Sequence, residues 1–381
     1  MTILGIGTSC DETSAAIVEK TEDKLILKSN IVASSLAMHI PTGGIIPENA
    51  AREQIKYILP VIKESLKKAN IQLPDVDAIA VTYGPGLIGS LLVGVETAKT
   101  LAMVLNKPII PVNHMMGHIY ANWIEHPEIE FPALALIVSG GHTDLLLMED
   151  HGKYKLLGGT RDDAAGEAFD KIGRLLGYDY PAGPIIEQKA KLGNLKRFDF
   201  PRPLIGSGDY DFSFSGLKTA VLREVLNQRH SGKRSASRIS YRSNESDSGV
   251  AKQPTPVSLH SQANSDSVLR SQNDDILDDQ TINDVCAGVQ KAISSVLIRK
   301  TLKAAQEYTV KSILLSGGVA ANQTLKEAFE QTITNQLSTT KLFVPAKNLC
   351  TDNGAMIAAA AVYNHHPIPW HDITADPELY Y

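Results

Sequence analysis

Two stretches of this chain, about 130 residues apart, carry the same pattern. "TILGIGTSCDETSAAIVEK" and "ALALIVSGGHTDLLLMED" each read as an apolar strand, a tight polar turn and a second strand. Such a hairpin cannot bury its apolar face alone, and each copy is followed by helical patterns that can cover it. The recurrence therefore predicts two related α/β lobes with mixed sheets, facing each other. A chain of 381 residues, 43% of them hydrophobic, is long enough for two such cores. After Pro47 the residues Ile55, Ile58, Leu59, Ile62 and Leu66 keep the i, i+3, i+4, i+7 spacing of a helix packed along one face. "AIAVTY" leads into the apolar helix "GPGLIGSLLVGVETAKTLAMVL", and "SILLSGGVAANQTLKEAF" is strand, glycine turn, helix.

The turns are chemically pointed. "GTSCDETS" and "VSGGHTD" bring small residues and hydroxyls to the hairpin tips, and "SGGVAAN" opens a helix. Backbone N–H groups in such turns converge on anions, glycine lets a phosphate approach, and a helix N-terminus adds a favourable dipole. Paired hairpins of this kind match the sugar-kinase, Hsp70 and actin arrangement, with a nucleotide in the cleft between lobes. "GPGLIG", Gly84 to Gly89, fits the dinucleotide pattern G-x-G-x-x-G, but the following strand ends in Asn113 and His114, with no acidic residue for a ribose. Close packing of helix on strand is the better account.

Within "VNHMMGHIYANW", His114 and His118 stand four apart on one helical face. The pair is either structural or half of a metal site. A third ligand would decide, and Asp352 in "CTDNGAMIAAAA" is a candidate, although it also reads as a plain N-cap. The metalloprotease pattern HExxH needs a glutamate where Met115 stands. Asp163, Glu167 and Asp170 share a predicted helix face, either solvated or able to accept from a ribose.

A net charge of −5 advertises no general affinity for nucleic acid. A local cluster of Lys189, Lys191, Lys196, Arg197 and Arg202 is the exception. Three scattered cysteines form no CxxC, which fits a reducing, cytoplasmic setting. No uncharged apolar stretch is long enough for a bilayer, so no membrane is expected as a partner. Residues 228–280, rich in Ser, Asn, Arg and Asp, lack periodicity and are expected to be a disordered insertion, basic in its first half and acidic at its end. The expected organisation is a first lobe over 1–128, with the C-terminal helix at about 350–381 packing back on it. The second lobe covers 129–349 and contains the insertion.

Taken in order, "GTSCDETSAA", "GGIIPENAAR", "GPGLIGSLLVG", "HMMGH", "VSGGHT", "DDAAGEAFDK", "DFSFSGLKTAV", "SGGVAAN" and "TDNGAMIA" resemble the TsaD family, the tRNA N6-adenosine threonylcarbamoyltransferases, once termed glycoproteases. The resemblance spans nearly the whole chain outside 228–280. It implies the two-lobe ASKHA fold of actin, Hsp70 and sugar kinases. It implies transfer of a threonylcarbamoyl group from threonylcarbamoyl-AMP to N6 of adenosine 37 in tRNAs that read ANN codons. It implies a divalent metal on His114, His118 and Asp352, iron(II) ahead of zinc. Substrate contacts are implied at Ile137, Val138, Ser139, Gly140, Gly141, Asp170, Gly183, Glu187 and Asn322, with Asp11 and Glu12 at positions tied to activity. It implies as partners the anticodon loop of tRNA, a TsaB-type paralogue and a TsaE-type ATPase. The chain departs from the family's usual HMEGH, because Met116 stands at the glutamate.

Other functions on the same fold are a small-molecule kinase or ATPase and a non-catalytic TsaB-type scaffold. The histidine pair argues against the kinase, which needs magnesium held by carboxylates and water. Scaffold paralogues lack the metal ligands that this chain keeps.

Overall fold

A computed structural model describes residues 1–240, 277–337 and 339–381, with side chains except in 229–240. The first sheet contains β1 (Thr2–Gly7), β2 (Glu12–Lys20), β3 (Leu25–Ser34), β4 (Ala78–Gly84) and β5 (Ile109–Asn113) in the order β3-β2-β1-β4-β5. The second contains β6 (Ala133–Val138), β7 (Thr143–Asp150), β8 (Lys153–Gly159), β9 (Ser312–Ser316) and β10 (Lys341–Phe343) in the order β10-β9-β6-β7-β8. Read outward from the hairpins, these are one topology used twice. β1 pairs antiparallel with β2 and parallel with β4, and β6 pairs antiparallel with β7 and parallel with β9. The repeated hairpin is thus a repeated half of the fold.

The helices follow in chain order: α1 (Leu36–His39), α2 (Pro47–Ala69), α3 (Ile88–Leu105), α4 (His114–Tyr120), α5 (Ala165–Leu175), α6 (Gly183–Ala190), α7 (Ser215–Ser240), α8 (Asp279–Glu307), α9 (Gln323–Gln336), α10 (Lys347–Cys350) and α11 (Gly354–Tyr363). Helices α2 and α3 cover one face of the first sheet, where Ile58, Val61, Ile62, Val95 and Ala98 are buried with Leu4, Ile6 and Val81. Helices α5, α7, α8 and α9 build the core of the second sheet. Between the two sheets lies a third apolar cluster, made of α4, the alanine-rich α11 and inward residues of both sheets, among them Ile3, Ala80, Ala135 and Ile137. Alanines let α11 approach closely, and so does Gly5, where a Cβ would stand 2.3 Å from the Gly354 carbonyl oxygen.

Three expectations change. Ile58 and Ile62 of α2 are buried, but Ile55 and Leu59 are 66% and 62% exposed, because only one stripe of the helix reaches the sheet. Helix α3 is long and apolar enough by composition to cross a membrane, despite its Glu96–Lys99 pair at 2.9 Å; here it packs on β4 and α2. The tract expected to be disordered from 228 begins in helix α7, which runs to Ser240, since a helix anchored on a buried face extends cheaply. The part of that expectation at 241–276 lies outside the described residues.

Candidate functional site

Helix α4 starts directly at the end of β5. Asn113 caps it, its side-chain oxygen accepting from the Met115 and Met116 N–H groups at 2.8 and 3.3 Å. This turns His114 and His118 together, with ring centroids 4.7 Å apart. Opposite them, the cap of α11 is Asn353, which accepts from the Met356 N–H at 3.0 Å. Asp352, read from sequence as a possible N-cap, is therefore free to face the histidines. Its Oδ1 lies 3.2 Å from His118 Nε2 and 3.6 Å from His114 Nε2. Its Oδ2 accepts from the Ser9 hydroxyl at 2.9 Å, which ties the carboxylate to the first hairpin turn.

The three ligand atoms all lie within 4.8 Å of one another. Tetrahedral bonds of ~2.1 Å place ligands about 3.4 Å apart, so this spacing suits one ion. Two imidazoles and one carboxylate leave coordination positions open and suit zinc or iron(II). Burial pushes the His114 imidazole down to about 4, against the pull of Asp352, so its lone pair is available near neutral pH. Burial works to raise the Asp352 carboxyl, but His114 and His118 outweigh it and hold it below the usual range. Met115 and Met116 are 2% and 5% exposed and belong to the apolar seam. Met115 thus stands in the core at the position where the protease pattern has its glutamate.

Asp11 and Glu12 stand on the same turn. Asp11 is 7% exposed, and burial, then Asp352 and Asp11, raise the Glu12 carboxyl well above its ordinary value. The glycines of "GPGLIG" lie close against neighbours, Gly84 against the Asp376 carbonyl, Gly89 against Ala51 and Gly86 against this turn. A Cβ at Gly86 would stand 2.5 Å from the Ser9 carbonyl oxygen, which also accepts from the Leu87 N–H at 2.8 Å. They are packing glycines, as the missing acidic residue suggested.

The turn of the second hairpin is of another kind. Gly140 and Gly141 are exposed, and a Cβ at either would meet nothing within 4 Å. Ser139 closes the turn: its N–H donates to the His142 carbonyl at 2.9 Å and its hydroxyl accepts from the His142 N–H at 3.1 Å. Ile137 and Val138 are fully buried in β6, so only their main chain can reach a ligand. The predicted acidic face of α5 splits. Lys171 pairs with Asp163 at 2.6 Å and Glu167 at 3.0 Å, whereas Asp170 accepts from the Ala182 N–H at 2.8 Å at the start of α6, beside Gly183. Glu187 accepts from the Thr324 N–H at 3.2 Å, and Asn322 exchanges hydrogen bonds with Gln290 at 3.0 and 3.3 Å while capping α9. Asp170 is thus tied to the start of α6 beside Gly183, and Glu187 of α6 to the start of α9, which Asn322 caps.

Some cleft residues escaped the sequence reading. His142 lies within electrostatic reach of His118 and Asp352, linking the second turn to the histidine pair. Tyr180 feels Asp170 from one lobe and Asp11, Cys10 and Glu12 from the other. Residues 377–381 close a cavity of about 620 Å³ lined also by Gly86, Asn113, Met115 and His142, with the Tyr381 hydroxyl donating to Asp144 at 2.9 Å. The quoted "VSGGHTD" already carried His142; nothing local signalled Tyr180 or the C-terminal segment.

The profile of the TsaD family, described as tRNA N6-adenosine threonylcarbamoyltransferase, matches residues 26–359. The transferase of that name from Thermomicrobium roseum is 47% identical over 369 residues, covering 95% of this chain and 92% of the relative. That from Moorella thermoacetica is 43% identical over 365 residues, with the same coverage. Among solved structures, full-length HypF in its phosphate- and nucleotide-bound form superposes with a TM-score of 0.54 at 13% identity, covering 95% of this chain and 55% of that one. That likeness concerns the fold alone, the two-lobe ASKHA architecture.

Proposed function

This chain belongs to the TsaD family and is a tRNA N6-adenosine threonylcarbamoyltransferase, and from that premise we propose the donor, the acceptor position and the residues that act. The donor is threonylcarbamoyl-AMP, and the acceptor is N6 of adenosine 37 in tRNAs reading ANN codons. The exocyclic amine attacks the carbamoyl carbon, a C–N bond forms, the bond to the phosphate oxygen breaks, and AMP leaves with its charge. The amine is a poor nucleophile and must lose a proton.

The observation that carries this reading is the convergence of His114, His118 and Asp352 between two unlike hairpin turns. Those three residues would hold one divalent ion, iron(II) ahead of zinc, which when bound supplies Lewis-acid charge and a template for the donor's oxygens. The exposed N–H groups of Gly140 and Gly141, in the turn that Ser139 closes, accommodate the leaving phosphate. Asp170, Gly183, Glu187 and Asn322 hold the nucleoside part of the donor. Asp11 or Glu12 takes the amine proton, and the crowding that raises Glu12 moves it toward the range useful for proton transfer.

A paralogous TsaB-type subunit would dock on the outer face of α2 and α3, where Ile55, Leu59, Met103 and Val104 are exposed. A TsaE-type ATPase completes the assembly. The three cysteines are free, in keeping with a cytoplasmic setting.

The test is nucleoside analysis of tRNA after depletion of this protein. Threonylcarbamoyladenosine should vanish and return when the chain is restored. Unchanged modification in depleted cells that carry no second copy would sink the reading.

A further inference from the structure

An acidic chain that acts on tRNA needs a local surface for phosphates. The cluster expected from sequence is poorly suited. Arg197 is engaged by Asp284 at 2.8 Å, Arg202 by Asp199 at 2.6 Å and Lys191 by Glu187 at 3.2 Å. A second basic surface meets that objection at two of its four cations, Lys291 and Lys300, and keeps Arg299 and Lys303 outside any ion pair among the described residues. Between α8 and α9 runs a groove of about 890 Å³ whose lining includes Lys291, Arg299, Lys300 and Lys303 and no carboxylate.

Lys300 is 1% exposed and holds the groove's edge, donating to the Ser207 hydroxyl at 2.6 Å and to Asp209 Oδ1 at 3.1 Å. It is structural. Arg299 is exposed, and Lys303, four residues on, lies on the same helical face, where its ammonium donates to the Gly208 carbonyl and sits 5.0 Å from the centre of the Tyr210 ring. Lys291 lies nearer the start of α8, bonded to the Leu195 carbonyl at 3.3 Å and 3.8 Å from Asp199, a carboxylate it shares with Arg202. The groove therefore keeps an excess of positive charge along its length.

Its near end adjoins the reaction cleft. Gln290 and Thr324 line it, and these are the partners of Asn322 and Glu187. From Gln290 to Arg299 the helix rises about 14 Å. A base extruded into the cleft would leave its flanking backbone to run outward along this distance.

We propose that the groove between α8 and α9 is a tRNA phosphate-binding surface of this chain, with Arg299 and Lys303 contacting the backbone of nucleotides flanking the modified adenosine. The contacts are electrostatic and carry no sequence readout, so they set affinity and register rather than tRNA identity.

This rests on the transferase reading and is tested separately from it. Unmodified tRNA transcript is titrated against the full chain over a series of salt concentrations, for wild type, Arg299→Gln, Lys303→Gln and, as a control on the exposed face of α2, Lys68→Gln. The groove variants should bind roughly 3- to 10-fold more weakly, and the slope of log K against log salt should fall by about 0.7–0.9 per lost contact. The control should match wild type, and melting temperatures should be unchanged, since both groove side chains reach solvent. KM for the adenylate donor should stay constant while KM for tRNA rises. Groove variants that bind tRNA with wild-type affinity and slope overturn the proposal. So does a loss of activity seen only with partner proteins while direct RNA binding is unchanged, which would make the groove a protein-docking surface. Failure of the transferase reading appears elsewhere, as wild-type protein that modifies no tRNA.

Discussion

The two hairpins share strand order, closed by Gly7 opposite Ser14 in the first and by Val138 opposite Thr143 in the second, yet differ in chemistry at their tips. In the first, Thr8, Ser9 and Asp11 are buried, Glu12 is partly buried beside other carboxylates, and Gly7 and Gly86 are filled against by the Ser14 hydroxyl and the Ser9 backbone. In the second, Gly140 and Gly141 face open space, and main-chain N–H groups are what the turn can offer. Duplicated topology has therefore produced two chemically different turns, one buried and rich in carboxylates, the other open with exposed main chain. Where a glycine sits decides what surrounds it: Gly86 makes room for Ser9, while no described residue fills the space at Gly140.

The sharpest way to break this comparison is at the ligand group itself. Asp352→Ala should lower transfer activity by more than about 100-fold and abolish stoichiometric metal. Its stability should stay within about 1 kcal/mol of wild type, because the two lobes have cores of their own. Elemental analysis with a melting curve checks both. Metal retained at full occupancy would show that the ion does not depend on Asp352.

The glycines give the next largest effects and should move in opposite ways. Gly86→Ala must displace the Ser9 backbone and should destabilise by about 1–3 kcal/mol, seen as a lower melting temperature. Gly140→Ala meets nothing and should melt within about 0.5 kcal/mol of wild type, while raising KM for the donor roughly 10-fold. Equal melting losses in the two would erase the distinction between the turns.

The smallest effect concerns Glu12. Its folded carboxyl is raised, so the folded state holds this proton more tightly than the unfolded chain does. The associated stability is present below the unfolded pKa, about 4.3, and is lost as pH rises through the folded value. In metal-free protein, Glu12→Gln should therefore melt slightly higher than wild type at pH 8 and equally at pH 4, and in metal-loaded protein its transfer activity should fall. A variant that melts lower at pH 8 would show that Glu12 stabilises the first turn instead of straining it.

Much of this was legible in the sequence because it is local or periodic. The repeated hairpin announced two lobes through strand alternation, and residues four apart on a helix announced the histidine pair. "SGGVAAN" announced a helix start, which Asn322 caps. Misreadings arose where periodicity does not say what it faces. The apolar series on α2 could not reveal that Ile55 and Leu59 look outward, and the acidic series near α5 could not reveal that Lys171 takes Asp163 and Glu167 while Asp170 turns to α6.

What the sequence by itself determined is the set of strands, helices and turns, since these follow from steric and hydrophobic rules acting over a few residues. Tertiary structure alone decided which distant groups meet. Asp352 is more than 200 residues from His118, and it faces the pair because Asn353 takes the cap of α11 and Ser9 holds its second oxygen. The open side of Gly140, the position of Tyr180 between carboxylates of both lobes, and the basic groove along α8 likewise depend on how the helices pack on two sheets. The reason is physical: backbone preferences act between near neighbours, whereas burial and charge depend on everything that packing brings within a few ångströms.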